Sequence, residues 1–185
     1  MIRNTEIAEN IASILLDIKA IKLSPKNPFT WASGLRSPIY CDNRIALSFP
    51  DKRTYIKEQI VTTIKKNFTE VEVIAGVATA GIPQGALVAD MLGLPFVYVR
   101  SSTKSHGMTN KIEGKIEKGQ RVVVIEDLVS TGKSSLDAVD ALRAVDADVM
   151  GMVAIFTYGL DIAVDNFESK ECDLIALSDY NAMIS

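Results

Sequence analysis

Apolar positions along the chain follow two kinds of spacing. Helical spacing predicts a first helix capped by Asn4 or Thr5, and the other predicted helices cover residues 51–67, 84–92, 136–146 and 161–167. Continuous β-branched or apolar runs predict strands, which cover residues 71–76, 95–100, 121–125, 149–157 and 174–177. Because strands and helices alternate, the pattern indicates an α/β fold with a mostly parallel central sheet and helices on both faces.

Two segments interrupt this alternation. Residues 22–44 contain three prolines and short β-type runs around Trp31 and Tyr40, which predict two short strands with turns, a small N-terminal hood on the larger core. Residues 101–119 show no sustained periodicity but carry four lysines and His106, the only histidine of the chain. A segment of this length is typical of a flexible lid or binding loop, and a solvated charged loop without a ligand stays open as the alternative.

Composition and charge narrow the class of protein. The 185 residues suit one domain, and 48% hydrophobic with 23% charged residues is ordinary for a globular chain. The net charge of −3 argues against a broad nucleic-acid-binding surface, and no apolar run is long enough to span a membrane. Cys41 and Cys172 accompany a single histidine, which excludes the usual zinc sites and favours a reducing cytoplasm. The first twenty residues resemble neither a secretory signal nor a transit peptide, so we expect the mature protein to start at Met1.

The strongest chemical signal lies where the predicted strand at 121–125 meets the following helix. Glu126 and Asp127 form an acidic pair, and a Ser/Thr/Gly turn then opens the helix. A helix N-terminus offers unpaired N–H groups and the turn adds hydroxyl donors, so we predict a phosphate site here. The acidic pair suits sugar hydroxyls or a hydrated Mg²⁺, and a phosphorylated sugar would therefore satisfy both parts. An acidic strand end before an ordinary capped helix stays open as the structural alternative.

Two related patterns bear on this site. Residues 131–134 look like the end of a Walker A loop, but Asp127 stands where that loop requires glycine, so we exclude it. Residues 77–83 form a second loop of small residues between a predicted strand and helix, which allows close approach of a phosphate group. Taken alone, this second loop fits an ordinary tight turn better. Both loops follow carboxyl ends of strands, where ligands of α/β sheets gather.

The stretch at 121–135 resembles the signature of the type I phosphoribosyltransferases, which use 5-phosphoribosyl 1-diphosphate (PRPP). The resemblance implies that the acidic pair contacts the ribose hydroxyls, directly or around Mg²⁺, and that the following turn holds the 5-phosphate. It also implies that Thr79, Ala80 and Gly81 lie against the diphosphate. The PRPP contacts that it implies in the signature are Glu126, Asp127, Leu128, Val129, Ser130, Thr131, Gly132, Lys133 and Ser134.

Two further stretches resemble the orotate phosphoribosyltransferases, in particular their shorter bacterial branch. Residues 29–44 look like the hood of that family, and residues 100–107 with 112–114 look like its catalytic loop. The resemblance implies transfer of the ribose 5-phosphate group from PRPP to orotate, giving orotidine 5-phosphate and diphosphate in pyrimidine synthesis. It also implies a homodimer in which the loop at 100–107 reaches the neighbouring subunit's site. The loop residues implied to meet the diphosphate are Arg100, Lys104 and His106, and the implied catalytic residues are Lys104, His106 and Asp127.

The sequence defines the orotate site less well. The resemblance places Ser130 near the base, and Arg44 is a hypothesis for the orotate carboxylate because a forked guanidinium recognises carboxylates well. Trp31 and Tyr40 fit a base contact and a packed hairpin equally well. Longer relatives carry an arginine for orotate in the region that here reads Thr157-Tyr158-Gly159, and lysines at the positions of Ala32, Ala80 and Ser101.

Two rivals to this prediction stay open. A purine phosphoribosyltransferase would share the PRPP signature but should lack the hood sequence and the pattern at 104–107. A regulator with a transferase fold would bind nucleic acid, and an extended basic face would then be expected, whereas the lysines here are dispersed. Family members usually run further than Ser185, so a longer C-terminal tail stays open as well.

Overall fold

The N-terminal part of the chain forms a helix and a set of short antiparallel strands. The structure, a computed structural model, describes residues 1–31, 34–101 and 111–184. Helix α1 (Thr5–Asp17) begins where predicted, because the Asn4 side chain accepts a hydrogen bond from the Ile7 N–H at 3.1 Å. The hood strands are β1 (Ile21–Leu23), β2 (Phe29–Thr30), β3 (Arg36–Ser37) and β4 (Ile39–Cys41), with β1 paired to β4 and β2 to β3. A 3₁₀ helix (Asn43–Ser48) then leads into the core.

A mostly parallel sheet forms the centre of the molecule. Its strands are β5 (Val73–Val77), β6 (Phe96–Val99), β7 (Ile112–Glu113), β8 (Arg121–Val129), β9 (Asp148–Thr157) and β10 (Leu174–Asp179). Their order is β10-β9-β8-β5-β6-β7, and the pairs are parallel except for β6 with β7. The parallel strands are mostly apolar, and β8 carries an unbroken β-branched run at residues 122–125, as strands buried on both faces do.

Helices cover both faces of this sheet. They are α2 (Pro50–Asn67), α3 (Gly81–Leu92), α4 (Lys133–Arg143), α5 (Asp161–Ser169) and α6 (Tyr180–Ile184). Alternate residues of β8 point to opposite faces of the sheet. Val123 and Ile125 pack with α1, α2 and α3 on one face. Val122 and Val124 pack with α4 and α5 on the other. The predicted α/β fold is therefore confirmed. In the described ranges no helix combines the length and the apolar character that a membrane crossing requires.

Several element boundaries differ from the prediction. The acidic pair lies within β8 rather than in a loop, because this strand continues to pair with β9 as far as Val129. Helix α3 begins at Gly81 instead of residue 84, and α4 ends at Arg143, before Asp146 adopts a φ of 61°. The hood contains β1 and β3 in addition to the two predicted strands, and β7 lies within the segment predicted as a loop. Strands of two or three residues are too short to show periodicity. The single-domain organisation and the flexible loop stay predictions.

Candidate active site

A cavity of about 310 Å³ opens at the carboxyl ends of β5, β8 and β9. The hood forms one side of it, and the loop after β5, the end of β8 and the residue after β9 form the rest. The lining residues are Trp31, Tyr40, Cys41, Asp42, Arg44, Val77, Ala78, Thr79, Ala80, Glu126, Asp127, Leu128, Ser130, Ser134 and Tyr158. Residues predicted to contact sugar, phosphate, diphosphate and base are thus brought together at the expected edge of the sheet.

The two acidic residues of β8 have different environments. Glu126 is 5% exposed, and its carboxylate oxygens accept hydrogen bonds from the Asp127 N–H at 2.9 Å and the Ser135 hydroxyl at 2.8 Å. Burial, together with the neighbouring Asp127 charge, raises the pKa of Glu126 well above its usual value. Asp127 is half-buried, and burial raises its pKa as well. Asp127 is therefore the better placed of the two for the hydroxyl groups of a ligand.

The backbone at Asp127 is tied to the 3₁₀ helix that follows the hood. Asn43 is 2% exposed, and its Nδ2 donates a hydrogen bond to the Asp127 carbonyl oxygen at 2.6 Å. Its Oδ1 accepts from the Cys41 thiol at 3.2 Å. Sequence reasoning missed Asn43, because a polar residue after a short strand gives no sign of a partner 84 positions away.

The predicted phosphate turn is braced from behind by α5. Gly132 has a φ of 80°, and a Cβ at this position would lie 2.6 Å from the Phe167 ring, so the turn requires glycine here. The Asn166 Nδ2 donates a hydrogen bond to the Thr131 carbonyl oxygen at 2.8 Å. Two neighbouring residues of one helix therefore fix the path of the turn.

The other residues predicted in this turn divide between the cavity, a neighbouring groove and the core. The cavity is lined by Leu128, Ser130 and Ser134, and the groove between α4 and α5 by Thr131 and Lys133, together with the same two serines. The Val129 side chain is buried in the core, so this residue offers a ligand only its backbone. The hydroxyls of the turn and the N-terminus of α4 meet at one place, as a phosphate site requires.

The second predicted loop runs from the end of β5 into α3. Thr79 and Ala80 line the cavity, and the peptide bond between Ala78 and Thr79 is cis. Gly81 lies in the first turn of α3, where a Cβ would be 2.6 Å from the Ile125 carbonyl oxygen. The glycine thus allows α3 to pack closely on β8 and holds the loop at the edge of the cavity.

An aromatic stack joins the hood to the sheet. The Trp31 and Tyr158 rings stack with centroids 3.9 Å apart and planes inclined by 20°. The Trp31 Nε1 donates a hydrogen bond to the Ile39 carbonyl oxygen at 2.8 Å, and the Tyr158 hydroxyl accepts one from the Cys41 N–H at 3.2 Å. Burial raises the pKa of both the Cys41 thiol and the Tyr158 hydroxyl. Sequence reasoning missed Tyr158 and Cys41 as site residues, although an aromatic residue directly after a strand at the ligand edge was an available signal.

Two predicted cationic contacts already have acidic partners. Arg44 donates hydrogen bonds to Asp42 from Nε at 2.7 Å and from Nη2 at 2.9 Å, which holds the pKa of Asp42 below its usual value. Arg100 follows β6, forms an ion pair with Glu113 at 3.3 Å and lines a pocket beside the loop after β5. Both arginines therefore lie near the cavity with their orientation fixed by a carboxylate.

Lys104 and His106, the predicted catalytic residues of the loop, lie outside the described residues, so their roles stay predictions. Within the described part of the chain, no three His, Cys, Asp or Glu side chains are grouped as a metal site.

Comparison with known proteins gives consistent results. A family model described as the phosphoribosyl transferase domain matches residues 52–184. The orotate phosphoribosyltransferase of Streptococcus mutans is 58% identical over 178 residues, which cover 96% of this chain and 85% of that protein. The orotate phosphoribosyltransferase of Porphyromonas gingivalis is 57% identical over 174 residues, covering 94% of this chain and 83% of that protein.

Solved structures extend the comparison to the fold. Orotate phosphoribosyltransferase from Aeropyrum pernix superposes with a TM-score of 0.83 at 26% identity, covering 94% of this chain and 96% of that one. Adenine phosphoribosyltransferase from Leishmania donovani gives a TM-score of 0.71 at 22% identity, covering 94% and 81%, and shares the fold alone. Because the matching relatives cover the hood, the PRPP signature and the sheet between them, the chain belongs to the orotate phosphoribosyltransferase family.

Proposed function

We propose that this protein transfers the ribose 5-phosphate group from PRPP to orotate, giving orotidine 5-phosphate and diphosphate in pyrimidine synthesis. The observation that carries the proposal is identity of 57–58% with orotate phosphoribosyltransferases over nearly the whole chain. The cavity supports it independently, because acidic residues, the predicted phosphate turn and an aromatic hood lie around a single space.

PRPP is proposed to divide among three parts of the cavity. The Asp127 carboxylate accepts the ribose hydroxyls, and the turn at 130–134 binds the 5-phosphate through hydroxyls and the N–H groups at the start of α4. Thr79, Ala80 and Gly81 lie against the diphosphate. The bond between ribose and diphosphate breaks toward an oxocarbenium-like state, so the site orients the ribose and stabilises departing negative charge, and the reaction needs no protein nucleophile.

Orotate is proposed to bind on the hood side of the cavity, with Ser130 and Arg44 as contacts. The hydrogen bonds to Asp42 use Nε and Nη2 of Arg44, so within the described part of the chain the Nη1 hydrogens remain for a substrate carboxylate. Asp42 then acts to orient the guanidinium. Ser130 lines both the cavity and the neighbouring groove between α4 and α5.

Mg²⁺ is proposed as a cofactor that arrives with PRPP. Asp127 offers a half-buried carboxylate at the cavity, whereas both Glu126 oxygens already accept hydrogen bonds. This donor set fits an ion held mainly by phosphate oxygens and water rather than by a protein cage. When bound, the ion would neutralise negative charge on the diphosphate.

The remaining charge is proposed to come from the catalytic loop of a second subunit in a homodimer. Arg44 is already paired with a carboxylate of its own subunit, so further positive charge for the diphosphate is needed. Arg100, Lys104 and His106 of that loop are assigned to this role, with Lys104 as the contact to the transition state. We further propose a cytoplasmic location, because both cysteines are free thiols, as a reducing compartment keeps them.

Orotate consumption, followed by ultraviolet absorbance with PRPP and Mg²⁺, tests the proposal. We expect turnover of orotate and none of adenine or hypoxanthine. Asp127→Asn should lower kcat/KM by about 100-fold, since the ribose loses its orienting carboxylate. The matched control is Asp90→Asn, an exposed carboxylate on α3, which should leave the rate unchanged.

If the protein binds PRPP but leaves orotate untouched, the base assignment is wrong. Turnover of a purine base would then favour the purine transferase. Tight binding of RNA or DNA without any turnover would favour the regulator.

A further inference from the structure

Tyr158 is held in a fixed orientation at the wall of the cavity. It follows β9 directly and is 8% exposed. Its ring stacks on Trp31 at 3.9 Å and meets the Phe156 ring edge-on at 5.7 Å with an angle of 83° between the planes. Contacts on a face and on an edge restrict both the position and the rotation of the phenol ring. The hydroxyl group is therefore presented at a defined point.

The hydroxyl hydrogen of Tyr158 is left for a ligand. A phenolic hydroxyl both accepts and donates. Its oxygen accepts from the Cys41 N–H at 3.2 Å, while in the described ranges no group accepts its hydrogen. Because burial raises the pKa of Tyr158, the hydroxyl stays protonated through neutral pH. The side chain is thus a neutral donor inside the cavity.

The groups around Tyr158 make this donor useful for a substrate rich in oxygen acceptors. The neighbouring groups that act on its hydroxyl are the Cys41 thiol, the Tyr40 phenol and the Asp127 carboxyl, and none of them supplies a positive charge at this wall. Arg44, the arginine of the cavity wall, is bound to Asp42. Orotate carries two ring carbonyls and a carboxylate, which are acceptors around most of its rim. A neutral O–H donor beside the hood matches such a rim.

We propose that the Tyr158 hydroxyl donates its hydrogen to an oxygen of orotate, which makes Tyr158 a substrate-binding residue of the pyrimidine site. This inference rests on the proposed function and deepens it. Since the same hydroxyl accepts from the Cys41 N–H, the donor is aligned by the hood strand β4. Base recognition and attachment of the hood to β9 therefore share one side chain.

Tyr158→Phe tests this proposal, because phenylalanine keeps the stacked ring and removes only the oxygen. We expect KM for orotate to rise about ten-fold or more, as loss of a buried hydrogen bond implies, with KM for PRPP within two-fold of the unchanged protein. The matched control is Tyr180→Phe, which removes the same atom from a half-buried tyrosine of α6 and should alter neither constant. Trp31 is the only tryptophan of the chain, so its emission without ligand reports whether the stack is retained.

Two results for Tyr158→Phe would overturn the proposal. One is KM for orotate within two-fold of the unchanged protein. The other is a parallel rise of KM for both substrates with altered Trp31 emission, which assigns the hydroxyl a purely structural role. Orotate turnover by the unchanged protein is measured first, and its absence would overturn the proposed function itself together with this inference.

Discussion

Glu126 and Asp127 illustrate how one strand gives adjacent carboxylates different chemistry. Successive side chains of β8 point to opposite faces of the sheet, so Glu126 meets Ser135 of α4 while Asp127 lies on the hood side. Glu126 then loses contact with water and gains two hydrogen bonds within the chain. Its carboxyl group is suited to holding the backbone of β8 and α4 in place, whereas Asp127 is suited to a ligand.

The raised pKa of Glu126 predicts a pH-dependent effect on stability. A carboxyl whose folded-state pKa exceeds its unfolded value contributes stability at pH below the unfolded value and loses it as pH rises through the raised one. Glutamine is neutral throughout and keeps an acceptor for the Asp127 N–H. We therefore expect Glu126→Gln to raise the thermal midpoint at pH 8 by about 3 °C or more, with a difference that shrinks toward pH 5.

Thermal unfolding of both proteins between pH 5 and pH 8 measures this difference. The exposed Glu58→Gln on α2 serves as the control and should show no such pH trend. A stability advantage of the unchanged protein that grows with pH would contradict the predicted direction.

At the scale of elements, α5 acts on the phosphate turn without lining the main cavity. Its Asn166 holds the Thr131 carbonyl oxygen and its Phe167 ring covers Gly132. The path of the turn is therefore fixed without a ligand, so the phosphate binding proposed here would need little further ordering of the chain.

Removal of the Asn166 amide should weaken PRPP binding selectively. We expect Asn166→Ala to raise KM for PRPP about three- to ten-fold, since a hydrogen bond of about 0.5–1.5 kcal/mol is lost, and to leave KM for orotate nearly unchanged. Asp165→Ala, an exposed neighbour on the same helix, is the matched control. Steady-state kinetics with each substrate varied separately give the two KM values. An equal rise of KM for PRPP and for orotate would refute a specific effect on the turn.

The same elements show what the sequence can and cannot predict. Periodicity places α1, α2 and the parallel strands, and the acidic pair with its turn indicates the proposed sugar-phosphate site, which stays a prediction. The end of β8 was mispredicted because two adjacent acids look like a loop, while pairing of Leu128 with Phe156 keeps the strand extended. The hydrogen bond by which Tyr158 joins β9 to the hood was missed because its partner, Cys41, is 117 residues away. Contacts between distant segments leave no local pattern.

At the scale of the whole molecule, the cavity as lined by the described residues is poor in free positive charge for a substrate as anionic as PRPP. Its acidic residues are Asp42, Glu126 and Asp127, and its arginine, Arg44, is paired with the first of them. Buried anionic groups need opposite charges close by. This imbalance supports the proposal that Lys104 and His106 complete the site from a neighbouring subunit.

Complementation between two inactive variants tests that shared site. Lys104→Ala and Asp127→Asn are each expected to be nearly inactive. If the loop of one subunit serves the cavity of the other, subunit exchange in an equal mixture creates heterodimers in which one site has both groups intact. Random pairing then predicts recovery of roughly one quarter of the unchanged protein's activity, because half of the dimers have one working site of two.

The matched control for this mixture pairs Lys104→Ala with His106→Ala. Both changes lie in the same loop, so each site of a heterodimer receives a damaged loop and activity should stay low. If loop and cavity belong to one subunit, neither mixture recovers, because every site then carries one of the two changes. Recovery in the first mixture alone is therefore the result that only a site shared between subunits produces.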